Sequence, residues 1–465
     1  MASSDSGAVR APGPRAGPGL RRNRDWHRLW LAQAVSLTGD SIFDVTIMLW
    51  VASVIAKDRP WAPAAASGVL IAAAVPVLVV GPLAGVWIDR WDRRRIMMTA
   101  DAGRAVLIAS LLVVPALGSG LSTAAALAAV YAVVAAESCF SQFFNPARLA
   151  VLGLIVAPAD RPQASGMLQA TSGTASVIGP PLAAPMLFSL GVQWALVINA
   201  ASFVVSFAAI RSVRLPTTDK HAPARPGFVA EFRVGLRFFA TSRVLVALST
   251  GVVICTLGTG ALNALAVFFL RDNLHTDVSW LGTLYAAMAI GGIGGALLGG
   301  WAARRIGAAR VFWLGMVTGG LLLLAYSRLT QFPVALAVGG LAGSAFGALN
   351  AAAPPLLLAA IPQPLMGRVM SVFNPLQQVA NIISIAAAGF LAGTVLQGMH
   401  LTVAGVRFGA VDSIFAVSAL LIIAGGLALM AQLPKAIAAE AGDAASLSAR
   451  QGGSAELART SRDQG

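Results

Sequence analysis

The sequence predicts an all-α membrane protein: twelve transmembrane helices in two pseudo-symmetric six-helix halves around a central cavity. Three observations carry this expectation. First, 57% of the 465 residues are hydrophobic and only 11% are charged. A soluble globular chain carries roughly a quarter charged residues. With mean hydropathy +0.76, that composition sets aside a soluble enzyme or a nucleic-acid-binding module. Second, the apolar residues gather into runs at about 29–52, 64–88, 97–118, 122–144, 164–190, 192–211, 245–270, 279–302, 309–327, 331–360, 369–395 and 409–433. A span needs ~20 residues to cross the hydrocarbon core. A segment in lipid must satisfy its own backbone hydrogen bonds, so each run is expected to be a helix. Third, the basic residues sort to one face. With the N-terminus inside, 28 of the 33 Lys and Arg lie on the inner face, and five (Lys57, Arg59, Arg271, Arg328, Arg407) on the outer. Lys and Arg accumulate in cytoplasmic loops, so both termini are expected in the cytoplasm and the chain in a cell (plasma) membrane. The net charge of +14 and pI of 11.3 are then a topology signal and a surface suited to anionic lipid. No nucleic-acid partner is expected.

Taken in order, residues 1–25 are polar and rich in Pro, Gly and Arg, an expected disordered cytoplasmic tail without the apolar run of a signal peptide. Residues 26–211 form the first six-span bundle. Residues 212–244 are the longest polar interruption. Within it Phe228, Phe232, Leu236 and Phe239 recur at steps of 4, 4 and 3, with Arg233 and Arg237 on another face. That pattern predicts an amphipathic helix on the cytoplasmic membrane surface. Residues 245–433 form the second bundle, and 434–465 are expected to be a disordered cytoplasmic tail.

The halves read as repeats. Gly85-Val-Trp-Ile-Asp89-Arg90-Trp-Asp92-Arg93-Arg94 follows the second span, and Gly300-Trp-Ala-Ala-Arg304-Arg305 follows the eighth, 215 residues later. Asn145 and Asn350 are 205 residues apart, and each is followed by a proline, Pro158 or Pro362. Two six-span halves in parallel repeat form an architecture used by secondary transporters, with the substrate site between them.

Ionisable residues at mid-bilayer depth are costly and mark function by default. Asp40, Asp44 and Glu137 are the candidates for proton coupling or substrate contact. Ser36, Asp40 and Asp44 recur every fourth residue and form one polar stripe on the first span, with Gln33 on its flank. Two carboxylates that close are not both charged cheaply in a low dielectric, so a proton is expected to come and go. Asp101 and Arg104, three apart near the inner end of the third span, are expected to form a local ion pair. The second half has no central acid; Asp412 sits near a span end. It carries amides instead: Asn263, Asn350, Gln377, Gln378 and Asn381, which join Gln33, Ser36, Asn145 and Arg148 as candidate polar lining of the cavity. Trp30, Trp50, Phe140, Phe144 and Phe373 are aromatic candidates for stacking. Cys139 and Cys255 lie inside apolar runs and are expected to be core residues. The four histidines lack ligand spacing, so neither a metal nor a cofactor is expected. No Gly-x-x-x-x-Gly-Lys-Ser/Thr loop is present, which disfavours an ATP-driven pump.

The segment Gly85 to Arg94 resembles the signature Gly-x-x-x-Asp-Arg-x-Gly-Arg-Arg of the major facilitator superfamily, with Asp92 where Gly is usual. Phe143-Phe144-Asn145-Pro146-Ala147-Arg148 and Gly367-Arg368-Val369-Met370-Ser371 are similar to the branch that holds enterobactin exporters and macrolide efflux proteins. Gly179-Pro180-Pro181-Leu-Ala183-Ala184 resembles the antiporter signature of the fifth span, with Ala at both final glycines. The resemblance covers residues 26–433. It implies a latch at the inner surface, formed by Gly85, Asp89, Arg90, Asp92, Arg93 and Arg94 and braced by Asp101 and Arg104. It also implies a bend in the fifth span at Gly179, Pro180 and Pro181.

The expected function is proton-coupled efflux, by antiport, of a hydrophobic or amphiphilic small molecule such as an antibiotic, siderophore or secondary metabolite. The expected partners are substrate, protons and lipid, and the expected unit is a monomer. A lipid or lysolipid flippase on the same fold is the alternative, followed by an importer. A membrane-embedded enzyme is disfavoured because no catalytic cluster is visible.

Overall fold

The computed structural model describes residues 20–82, 84, 91–213, 228–362, 365–397, 399, 401–403 and 406–460. Twelve of its helices are long and apolar enough to cross a membrane. The first half contains α1 (Arg24–Trp50), α2 (Ala62–Val79), α3 (Arg93–Ser110), α4 (Thr123–Ile155), α5 (Arg161–Pro185) and α6 (Val192–Ser212). The connector helix α7 (Phe228–Thr241) follows. The second half contains α8 (Arg243–Asp272), α9 (Leu281–Ile306), α10 (Ala308–Ser327), α11 (Phe332–Ala360), α12 (Met366–Phe390) and α13 (Ala410–Thr460). The all-α membrane fold expected from the composition is the one observed. A short antiparallel hairpin, β1 (Leu401–Val403) with β2 (Val406–Phe408), lies between α12 and α13.

Local sequence sets the helix ends. Asn23, Asp92, Ser122 and Ser242 cap α1, α3, α4 and α8, each accepting from the backbone N–H three residues on, at 3.0, 2.9, 3.2 and 3.2 Å. Such a cap satisfies a donor that the first helical turn leaves orphaned. Gly307, at φ 91°, turns the chain between α9 and α10 in a conformation that L side chains avoid.

Two helices outrun their apolar runs. α4 continues to Ile155 through Pro146, although its apolar run is expected to end near 144, where Asn145 and Arg148 interrupt it. α13 continues to Thr460, where disorder is expected from 434. The reason is propensity: residues 434–460 are rich in Ala, the strongest helix former. Residues 1–19 and 214–227, and the latch positions Gly85, Asp89 and Arg90, lie outside the described residues.

α1 packs on α5 and α6, and α3 on α4 and α6; in the second half α9 packs on α11, and α10 on α11 and α13. α9 and α11 approach until backbones touch: a Cβ on Gly291, Gly295, Gly343 or Gly347 would run into a carbonyl oxygen of the facing helix. Lipid supplies no hydrophobic drive between helices, so this close contact of small residues is what holds them.

The two halves meet through α2 against α12 and α5 against α9. Gly282 of α9 is seated on the Pro180 carbonyl, and Gly389 of α12 beside Ser67 of α2. The main apolar cluster crosses between halves at the end remote from the termini, joining Leu49, Trp50 and Ala66 to Phe268, Phe269 and Ala388. At the end that carries the connector, the clusters separate. Leu29, Met97 and Phe144 belong to a cluster of first-half residues alone, as do Trp26, Leu152 and Leu168, whereas Leu245, Ile361 and Val369 cluster with second-half and connector residues. Among the described residues, the halves therefore share an apolar core at one end and have separate ones at the other, here called the sealed and the parted end.

Candidate functional site

The site grows from one glycine. A Cβ on Gly39 would fall 2.8 Å from Ser202 Oγ and 2.9 Å from Asn199 Oδ1. Its absence lets α1 close onto α6 and seats the next residue, Asp40, at the helix interface. Arg104 of α3 reaches the same point with a side chain only 7% exposed. Its Nη2 lies 3.2 Å from Asp40 Oδ2, and its Nε donates to Glu137 Oε1 of α4 at 2.6 Å. The guanidinium also sits over the Phe203 ring, 3.9 Å from the centroid, with the Phe144 ring at 6.0 Å. One buried cation is thus held by two carboxylates and an aromatic face.

The stripe on α1 emerges from this interface. Ser36 is buried, Asp40 half-buried and Asp44 exposed. Asp44 forms no hydrogen bond or ion pair among the described residues. A second chain of contacts runs beside the first: Arg148 Nη1 donates to Gln33 Oε1 at 3.0 Å, and Gln33 Nε2 donates to Ser206 Oγ at 3.3 Å. It ties α4, α1 and α6 together.

The ion pair expected between Asp101 and Arg104 does not form. Arg104 turns across the bundle to acids 64 and 33 residues away, because two carboxylates and a ring stabilise it better than one neighbour. Asp101 is 0% exposed, and neither oxygen has a hydrogen-bond partner among the described residues. The Ser206 hydroxyl faces it, outside full hydrogen-bond geometry.

Of the described latch residues, Asp92 is the cap of α3. Arg94 donates to the Arg211 carbonyl at the end of α6, and Arg28 Nη1 to the Ser212 carbonyl at 3.4 Å. Positive side chains there complement the negative end of the helix dipole. Arg93 is half-buried. Gly179 is buried against Ser41, while Pro180 and Pro181 stay within α5, which ends in a π-helical turn at Met186–Leu190.

The amides of the second half disperse. Gln378 Nε2 donates across the halves to the Ala74 carbonyl at 3.1 Å. Asn263, Gln377 and Asn350 are exposed, Asn381 is half-buried beside Gly260, and Asn145 donates to Ser141 Oγ at 3.3 Å. Asn350 lines a cavity of about 390 Å³ between α11 and α12, with Pro354, Leu357, Met366 and Met370. Trp30 Nε1 donates to Thr171 Oγ1 at 2.9 Å, and Trp50, Phe144 and Phe373 are buried. Phe140 packs on Gly103. The ring that matters, Phe203, is absent from the sequence candidates; a lone Phe in an apolar run carries no distinguishing signal.

A twelve-span helical bundle in two halves, with its ionisable groups gathered at mid-helix depth, is the architecture of a secondary transporter. The chain belongs to the Major Facilitator Superfamily, whose family model matches residues 29–385. It is a multi-pass membrane transporter of small molecules and not an enzyme. It is 29% identical over 343 residues to the multidrug efflux pump Tap of Mycobacterium tuberculosis, covering 72% of this chain and 80% of that one. It is 25% identical over 383 residues to macrolide efflux protein A of Streptococcus pyogenes, covering 79% and 89%. In fold it is similar to an inward-facing bacterial homologue of the iron transporter ferroportin, with TM-score 0.69 and 16% identity over 89% of this chain and 98% of that one. Against an outward-facing bacterial homologue of ferroportin, at 17% identity, the TM-score is 0.59, covering 89% and 100%.

Proposed function

We propose that this protein exports a hydrophobic or amphiphilic, preferably cationic, small molecule in exchange for protons. The contact of Arg104 with Asp40 and Glu137 carries this reading. One cation neutralises one carboxylate, so in a low dielectric the second acid is poised to hold an exchangeable proton. Asp44, exposed one turn beyond Asp40, is placed to meet a positive group on the substrate. A proton arriving at the pair weakens the site for substrate, and a bound substrate displaces the proton; that competition is antiport. The parted end of the molecule is assigned to the cytoplasm, in keeping with the 28 basic residues on that side. Substrate then enters from within the cell, and closure there accompanies opening at the sealed end. The relatives named for multidrug and macrolide efflux support the direction.

Proton release is the test. The purified protein in weakly buffered detergent is mixed with cationic dyes, macrolides, siderophores or lysolipids. A pH indicator is expected to report release with at least one cationic or macrolide probe, and the signal is expected to vanish in D40N and in E137Q. Tight binding without release, unchanged by either substitution, overturns the coupling. Release elicited by lysolipids alone moves the flippase to the front.

A further inference from the structure

Asp101 takes no part in the Arg104 contact, yet it is fully enclosed: it is 0% exposed and both oxygens lack a hydrogen-bond partner among the described residues. The groups around it are few. α3 itself contributes Arg104, already committed to two acids. α1 contributes Asp40, with Asp44 a turn beyond. α4 contributes Glu137 and Arg148, the latter bonded to Gln33. α6 contributes the Ser206 hydroxyl and no charged residue before Arg211. An ionised carboxylate in that position has one imperfectly placed hydroxyl and no ion-pair partner among the described residues, and a buried charge so poorly matched favours its neutral form. A protonated one has a hydroxyl to face.

The same spacing that fails to make an ion pair at rest is the spacing of helical neighbours, three residues apart on α3. We propose that Asp101 is a second proton site, and that Arg104 is a switch that exchanges its carboxylate partner between the Asp40–Glu137 pair and Asp101. Asp40, Glu137 and Asp101 lie about Arg104, so two protons among the three leave one ionised acid to balance that cation. At rest Asp101 holds one proton, Asp40 and Glu137 share the other, and Arg104 faces the pair. When a second proton loads the pair, Arg104 loses its counter-charge, turns to Asp101, and Asp101 gives up its proton. Proton number is the same before and after; the ionised acid has moved from one side of Arg104 to the other. Proton entry and proton exit are thereby assigned to different residues. This rests on the proton-coupled reading.

Infrared spectroscopy tests it without a substrate, through the carbonyl stretch of protonated carboxyls at neutral pH in lipid nanodiscs. Wild type is expected to show a band that D101N removes and that S206A shifts. D44N serves as the control that separates the other aspartate. In the double variant D40N/E137Q, Arg104 has only Asp101 left, so the Asp101 band is expected to disappear. A spectrum with no component sensitive to D101N or S206A overturns the second site. A band that persists in D40N/E137Q overturns the switch and leaves Asp101 a fixed structural acid. Should D101N fail to fold, S206A and the double variant decide the matter alone. A protein that keeps the Asp101 band and its loss in the double variant, yet releases no proton with any probe, contradicts the transport reading rather than the switch.

Discussion

At the scale of the residue, Arg104 is the side chain on which the first half depends. Truncating one member of a buried charge group strands the others, at a typical cost of about 3–5 kcal/mol. Arg104→Ala is therefore expected to lower the thermal unfolding midpoint in detergent by several degrees, and Arg104→Lys to recover only part of it. Lysine keeps the charge but not the forked donors that reach two acids. Adding D40N and E137Q to R104A is expected to restore stability, because the stranded charges go with it. Failure of that rescue would mean that the loss does not come from stranded charge, leaving the packing of Arg104 on Phe203 as its source. Asp40, Asp44 and Glu137 were legible in the sequence, since a lone acid in an apolar run stands out. The partner of Asp40 and Glu137 was not, because residues 40, 104 and 137 share no period and meet only when three helices pack. Local spacing pointed Arg104 at Asp101 instead, and tertiary geometry overrode it.

At the scale of the element, hydropathy locates all twelve spans but misplaces several ends. The reason is that an apolar run measures contact with lipid, whereas a helix stops where its backbone finds a cap. α4 runs on past Asn145 and Arg148 into a further apolar stretch to Ile155, and α13 past Leu433. The connector helix was readable from its spacing of Phe228, Phe232 and Phe239, but its seat was not. Phe238 and Phe239 pack with Leu245, Ile361 and Val369, and a Cβ on Gly235 would press on the Arg368 backbone. The pairing of α5 with α9 is sharper still. Gly282→Val would place a branched side chain against Pro180, and overpacking of that kind costs typically about 1–3 kcal/mol. Since about 1.4 kcal/mol is tenfold in an equilibrium, the variant is expected to shift the population away from the state sealed at that end by roughly tenfold or more. Spin-label distances across α5 and α9 would report the opening; an unchanged distribution would show that the seam tolerates bulk.

At the scale of the whole molecule, parted halves at one end and a shared core at the other make a clear geometric prediction. Gly393, in the π-helical turn Leu391–Val395 that follows α12, would carry its Cβ 3.4 Å from Ala64 Cβ of α2, close to the Cβ separation of a disulfide, about 3.5–4.5 Å. An A64C/G393C pair, built after replacing Cys139 and Cys255, is expected to cross-link readily, stop transport, and release it on reduction. Free transport in the oxidised protein would mean that the seal at this end does not open during the cycle. The architecture of two halves was legible from repeated motifs and an even span count. Which end is sealed was not, because the same sequence must form both states.

The crowding of buried charge into α1, α3 and α4, against a second half knit by glycine backbones and dressed with amides, amounts to a division of labour. On the proposed proton-coupled reading, energy conversion is confined to one lobe. The other lobe is a close-packed frame whose exposed Asn350, Gln377 and Asn263 form no hydrogen bond with the charge group among the described residues. If the protein exchanges protons for substrate as proposed, changes to that frame's surface are expected to alter which load is carried while the engine on the other side stays as it is.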